Sequence, residues 1–122
     1  MLVAGTGLLG ASGFQCGGTF LSTDGGQSWT ASGLSGVYVT DVAFEPGEAG
    51  RAYACASYIA GILPPGGVYV SADGGRSFAD TRLPTTGALA LAISASGRVV
   101  HAATPLGVYE LGVRRTRTVA PR

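Results

Sequence analysis

The acid–base chemistry open to this chain is sparse: seven Asp and Glu residues and one histidine in 122 residues. Two of the acids sit in a repeated setting. Ser22-Thr23-Asp24-Gly25-Gly26-Gln27-Ser28-Trp29 returns as Ser71-Ala72-Asp73-Gly74-Gly75-Arg76-Ser77-Phe78, 49 positions further on (Ser22 to Ser71). Asp-Gly is a strong hairpin signal because glycine tolerates positive φ. An Asp carboxylate in a turn can accept bonds from backbone N–H groups a few residues on, and nearby serine hydroxyls can donate to it as well. Such charge-assisted bonds are worth roughly 1.5–3 kcal/mol each. A calcium loop needs several closely spaced oxygen ligands, and each copy offers one carboxylate. Paired acid–base catalysis needs two carboxylates within about 10 Å, and equivalent turns of different repeat units lie further apart. The residues therefore predict a structural turn.

The remaining groups form no catalytic constellation. Tyr109 and Glu110 are adjacent, so in a strand they point to opposite faces. His101 falls in a strand, facing a core or an edge. Cys16, in a loop, and Cys55, in an apolar strand, have no metal-ligand spacing, and a single histidine argues further against zinc. Two idle thiols are favoured over a disulfide. Gly5-Thr6-Gly7-Leu8-Leu9-Gly10 is a literal G-x-G-x-x-G after an apolar strand. The dinucleotide fingerprint requires a helix to start at its third glycine. The residues that follow, 11–18, include three glycines, each costing a helix about 1 kcal/mol. A glycine-rich surface loop is expected instead.

Composition fits a chain of tight turns and short strands. Gly numbers 21, against a usual share of about 7%, without the Gly-x-y period of collagen. Hydrophobic residues make up 46%, so the chain is not of the disordered class. All basic residues are Arg, and the net charge is +1, which by itself implies neither nucleic acid nor an anionic membrane as partner. No apolar run approaches the ~18 residues of a membrane helix, and no signal peptide is evident at residues 1–4.

The elements that must position the two turns repeat with them. Four strand types recur. Type A is 40–44 and 88–93; type B is 2–6, 51–57 and 98–104; type C is 18–21, 67–70 and 107–110; type D is 28–30 and 76–80. In the alignment of the B strands, Ala103-Thr104 falls against Ala56-Ser57. A period of this length signals a repeat architecture. The reading is all-β, in antiparallel four-stranded units: one complete unit at 39–82, partial units at 1–38 and 83–113, and a basic tail at 114–122 carrying Arg114, Arg115, Arg117 and Arg122.

The turn motif resembles the Asp-box, or BNR repeat, S-x-D-x-G-x-[ST]-[WF]. Ser22, Asp24, Gly26, Ser28 and Trp29 match every defined position, and so do Ser71, Asp73, Gly75, Ser77 and Phe78. The surrounding Gly-Val-Tyr-x-Ser pattern is similar to the Asp-box β-propellers, which include sialidases, xyloglucan-hydrolysing glycosidases, sortilin-type receptors and a photosystem II assembly factor. The resemblance covers the chain to about Glu110; after Tyr109 the third copy of the motif is missing. It implies an open arc of propeller blades, one complete and two partial, with the Asp-box in the C–D turn at the periphery in a structural role and the aromatic residue closing a seam between sheets. Propellers close with four to eight blades, so further blades of a longer protein, or self-association, are the expected partners. A carbohydrate or protein ligand is expected, with no cofactor, metal, nucleic acid or membrane. The family is often extracytoplasmic.

For activity, the resemblance offers little. A sialidase-like arginine cluster with a Tyr–Glu pair is not found. A xyloglucanase-like pair of aspartates leaves only Asp41 and Asp80 outside the Asp-boxes; Asp41, at the start of inner strand A, is the weak catalytic candidate, and a strand-end or loop-facing polar role is favoured for it. The expected function is a non-catalytic scaffold or binding module; the alternative is part of a sialidase- or xyloglucanase-like glycoside hydrolase. In these propellers the B–C loops lie on the ligand face. Two are long and apolar here, 8–16 and 58–65, and give Phe14, Gln15, Tyr58, Ile62 and Leu63 as candidate binding residues.

Overall fold

A computed structural model describes residues 2–10, 13–45, 50–57, 66–83, 87–94 and 99–112. Among them every regular element is a strand: β1 (Leu2–Gly10), β2 (Gly13–Ser22), β3 (Thr30–Ser32), β4 (Tyr38–Phe44), β5 (Ala52–Ser57), β6 (Gly67–Ser71), β7 (Ala79–Asp80), β8 (Ala90–Ile93), β9 (Val99–Thr104) and β10 (Gly107–Gly112). All pairings are antiparallel between neighbours in sequence. They make three sheets, β1-β2-β3, β4-β5-β6-β7 and β8-β9-β10. The second packs between the other two, with β4 against β1 and β2 on one side and against β8 on the other.

The middle strand β5 explains why this stacking is stable. Its side chains alternate Ala52, Ala54 and Ala56 on one face with Tyr53 and Cys55 on the other, and all five are buried. A strand covered on both faces loses the apolar–polar alternation of a half-solvated one. Tyr53 and Cys55 join Val68, Leu83, Ala88, Val100, Ala102, Tyr109 and Leu111 in the core between the second and third sheets. Glycine is required where backbones meet: a Cβ on Gly66 would come within 2.3 Å of the Ala56 carbonyl oxygen.

Three expectations need correction. Residues 8–10 and 13–16 are strand, not loop: β1 runs on to Gly10, and β2 starts at Gly13, with Leu9 opposite Phe14 and Leu8 opposite Gln15. Paired strands can carry glycine when the partner strand satisfies their backbone groups, so among the described residues the glycine-rich run is extended, and strand β2 stands where the G-x-G-x-x-G fingerprint needs a helix. Cys16 accordingly lies in β2 rather than in a loop. The outer strands also start later than expected, at Thr30 and Ala79, because the turn's hydrogen bonds extend through Ser28 and Ser77.

The third correction concerns register. Ala56 pairs with Gly67 at the end of one hairpin, and Thr104 with Gly107 at the end of the next. Thr104 is therefore the counterpart of Ala56, one residue away from the alignment by sequence. A one-residue slip exchanges faces, and it places His101 opposite Glu110 where the second sheet has Tyr53 opposite Val70.

Candidate functional site

The two Asp-centred turns link β2 to β3 and β6 to β7, at the outer edges of their sheets. The bonds made by their Asp carboxylates and serine hydroxyls are the same. Ser22, 1% exposed, donates from Oγ to Asp24 Oδ1 at 2.8 Å and accepts the Gly26 N–H at 2.9 Å and the Asp24 N–H at 3.4 Å. Ser71, also 1% exposed, does so with Asp73, Gly75 and Asp73 at 2.8, 2.8 and 3.3 Å. On the far side, the Ser28 N–H donates to Asp24 Oδ1 at 2.9 Å and its hydroxyl to Oδ2 at 2.5 Å, and Ser77 repeats both bonds to Asp73. Each carboxylate thus staples the strand end before it to the residue four positions on. The glycines supply the required backbone: Gly25 and Gly26 have φ of 75° and 94°, Gly74 and Gly75 of 78° and 93°.

These donors stabilise the ionised form. The Ser28 and Ser77 hydroxyls first, then the same residues' N–H groups and the Ser22 and Ser71 hydroxyls, hold Asp24 and Asp73 at about 2, below the usual value near 3.8. An acid held as the anion, with its lone pairs spent on one turn, is a poor proton donor near neutrality and has few oxygens left for a metal. Among the described residues, no group of three or more His, Cys, Asp or Glu side chains is placed to hold a metal ion.

The surroundings of the two turns differ. Gly33, in the loop after β3, reaches the second turn: its N–H donates to the Arg76 carbonyl at 3.0 Å, and a Cβ there would meet the Phe78 ring at 2.5 Å. Val3 of β1 lies against Gly75, 2.6 Å from where a Cβ would stand, and Gly74 N–H donates to Gly50 O at 2.6 Å. Gly74 and Gly75 are buried. In the first turn, Gly25 and Gly26 are exposed and half-buried, and nothing lies within 4 Å of a Cβ on Gly25. Trp29 is 41% exposed, its indole N–H donating to Gly26 O at 3.1 Å. Phe78 therefore meets the neighbouring sheet, whereas Trp29 folds back on its own turn.

Asp41 is neither at a strand end nor in a loop. It sits inside β4, just after a break in register between Val39 and Asp41. Its Oδ1 accepts the Val42 N–H at 2.9 Å, and its Oδ2 accepts the Leu91 N–H at 2.9 Å, from the inner strand of the next sheet. Thr40 adds a second fastening, with its hydroxyl donating to Ala88 O at 2.8 Å. Both polar groups bind sheet to sheet. A cavity of about 220 Å³ lies beside them, lined by Val3, Val39, Thr40, Asp41 and Val42.

Tyr109 is buried in the core, while Glu110 points the other way and meets His101 Nε2 at 3.1 Å. The pair lies on the half-exposed face of β9 and β10. Cys55 is a free thiol, buried, with Sγ 3.2 Å from Thr40 Oγ1. Burial pushes its pKa up to about 11, which makes it an inert core residue rather than a nucleophile. Of the loop candidates, Phe14 and Gln15 lie on β2, and Tyr58, Ile62 and Leu63 lie outside the described residues.

Sequence reasoning passed over the threonines. Thr19, fully buried, donates to Ser32 O at 2.8 Å and accepts the Leu34 N–H at 3.2 Å, and its own N–H donates to Leu34 O at 3.0 Å. Thr81 closes the second sheet with both N–H and hydroxyl on Val68 O. The signal available was a Thr or Ser beside each outer strand. Glu45, whose side chain is 6% exposed, pairs with Arg51 at 3.4 Å across the β4–β5 connection.

The chain matches no protein-family model, no curated protein and no solved structure.

Proposed function

We propose that this chain is an arc of Asp-box β-propeller blades, one complete and two partial, that serves as a non-catalytic scaffold or binding module. The observation that carries the reading is the pair of turns: two matched motifs with the same Asp–Ser hydrogen bonds, each on the outer hairpin of successive antiparallel sheets. A motif spent on closing hairpins supports an architectural use. The Asp41 carboxylate, engaged by Val42 and Leu91, is likewise a fastener. A module of this kind takes a protein or carbohydrate ligand, and further blades or self-association close the ring.

The test is turnover. The purified chain, incubated with a fluorogenic sialoside and with xyloglucan oligosaccharides, is expected to release no product. Turnover that Asp41→Ala abolishes would replace this reading with a glycoside hydrolase.

A further inference from the structure

Asp24 and Asp73 each precede a glycine; the other aspartates, Asp41 and Asp80, do not, and the sequence has no asparagine. An Asp–Gly bond is open to rearrangement because glycine has no Cβ to hinder its amide nitrogen. That nitrogen can attack Cγ of the preceding aspartate. The new N–Cγ bond closes a five-membered succinimide, a Cγ–O bond breaks, and the carboxyl hydroxyl leaves with the amide proton as water. Water then adds back to the ring. Addition at the main-chain carbonyl, with breakage of its bond to nitrogen, leaves the chain running through Cβ and Cγ and the α-carboxylate as the side group. One water leaves and one returns, and the product is isoaspartate.

Ring closure needs Cγ swung onto the next nitrogen and a protonated carboxyl whose oxygen can leave. The folded turns oppose both. Oδ1 of Asp24 accepts the Ser22 hydroxyl and the Ser28 N–H, and Oδ2 accepts the Ser28 hydroxyl. Ser71 and Ser77 hold Asp73 in the same way. Each carboxylate is thus drawn toward the residue four positions on and not toward the glycine beside it. The same donors keep both acids ionised, titrating at about 2, so the reactive acid form is scarce near neutrality. In the second turn the attacking nitrogen is also occupied, since the Gly74 N–H donates to Gly50 O at 2.6 Å.

We propose that Asp24–Gly25 and Asp73–Gly74 are sites of aspartate isomerisation, which the serine clasp holds closed in the folded turn and which opening of the turn exposes. The product cannot rebuild the clasp. Isoaspartate adds one atom to the main chain and moves the carboxylate relative to Ser28 or Ser77, in turns whose glycines already sit at φ between 75° and 94°. An opening that ends in isoaspartate therefore removes that hairpin closure permanently, a chemical route to irreversible unfolding. The serines gain a second task, protection of the main chain, which holds whatever ligand the module takes.

The test ages the full chain near neutral pH at physiological temperature, with and without a denaturing concentration of guanidinium chloride. Isoaspartate has the mass of aspartate, so it is read by electron-transfer fragmentation of tryptic peptides, and cleavage after Arg51 puts the two turns on different peptides. Isoaspartate is expected at both positions in denaturant, and to form at least about tenfold more slowly in the folded chain. Ser77→Ala is expected to speed conversion at Asp73 in the folded chain about fivefold and to leave Asp24 at its original rate, and Ser28→Ala to do the reverse. Ser77→Thr, which keeps the hydroxyl, is expected to convert at the original rate. The comparison of folded with denatured wild-type chain decides the matter should an alanine variant not fold. Equal rates in folded and denatured chain would overturn the proposal. So would an unchanged rate at Asp73 in folded Ser77→Ala, or equal acceleration at both turns by that one substitution.

Discussion

The turn at Ser22–Trp29 and the turn at Ser71–Phe78 share the hydrogen bonds of their Asp carboxylates and serine hydroxyls but not their surroundings. Around Asp24 and Asp73 the donors, acceptors and distances agree within about 0.1 Å. Around Gly75 and Phe78, however, Val3 and Gly33 of the preceding sheet press in, whereas the first turn leaves Gly25 and Trp29 to solvent. The difference separates two jobs. The carboxylate and its serines shape the hairpin, a local task that succeeds with or without a neighbour. In the second turn, the second glycine and the aromatic residue also make the joint to the first sheet.

That division can be broken experimentally, and the glycines should show it most. Gly26 and Gly75 have almost the same φ, 94° and 93°. Alanine at either position carries the left-handed penalty of about 1–2 kcal/mol. At Gly75 it also drives a Cβ into Val3, and overpacking of this kind adds about 1–3 kcal/mol. Gly75→Ala is therefore expected to cost about 3 kcal/mol and Gly26→Ala about half that, measured by urea unfolding of each variant. Equal costs would mean that the joint contributes nothing.

The serines come next. Removing the Ser71 hydroxyl strands the buried Gly75 N–H, at a cost of about 2 kcal/mol. Gly26 is only half-buried, so water can replace the Ser22 hydroxyl, and Ser22→Ala is expected to cost about 1 kcal/mol by the same measurement. If the two variants melt together, the environment of the turn does not matter.

Acid should act on both turns alike. Both carboxylates titrate at about 2 in the folded chain, below the value near 3.8 of a free side chain. Their stabilisation is present above about pH 4 and is lost as pH falls through 4 toward 2. Both groups are open to solvent, so the loss per turn is small. Tm is expected to drop over that window, by a smaller amount in Asp24→Asn and in Asp73→Asn, and by the least in the double variant. A drop that survives in the double variant would assign acid sensitivity to other groups.

Legibility in the sequence followed the same local-versus-distant line. The turns could be read because each of their bonds spans two to four residues, within one motif. The all-β, antiparallel character could be read from alternating strands and turn residues. Asp41 stood out as an inner-strand acid, but its partner Leu91 lies fifty positions away, and nothing near Asp41 announces it. The β1–β2 extension was misread because Gly5, Gly7, Gly10 and Gly13 look like loop residues until pairing is known. The alanine-rich B strands admit two alignments one residue apart, and only the hairpin pairs Ala56–Gly67 and Thr104–Gly107 choose between them. The joint at Gly75 was invisible for the same reason: Val3 is seventy-two positions earlier in the chain.

Native-state hydrogen exchange of the Gly26 and Gly75 amides tests the central distinction most directly. Both N–H groups donate to a serine hydroxyl at nearly equal distance, 2.9 and 2.8 Å, so the internal bonding of the turns predicts equal protection. The joint between the first and second sheets predicts that Gly75 exchanges at least about tenfold more slowly than Gly26. Equal exchange rates at the two glycines would contradict it.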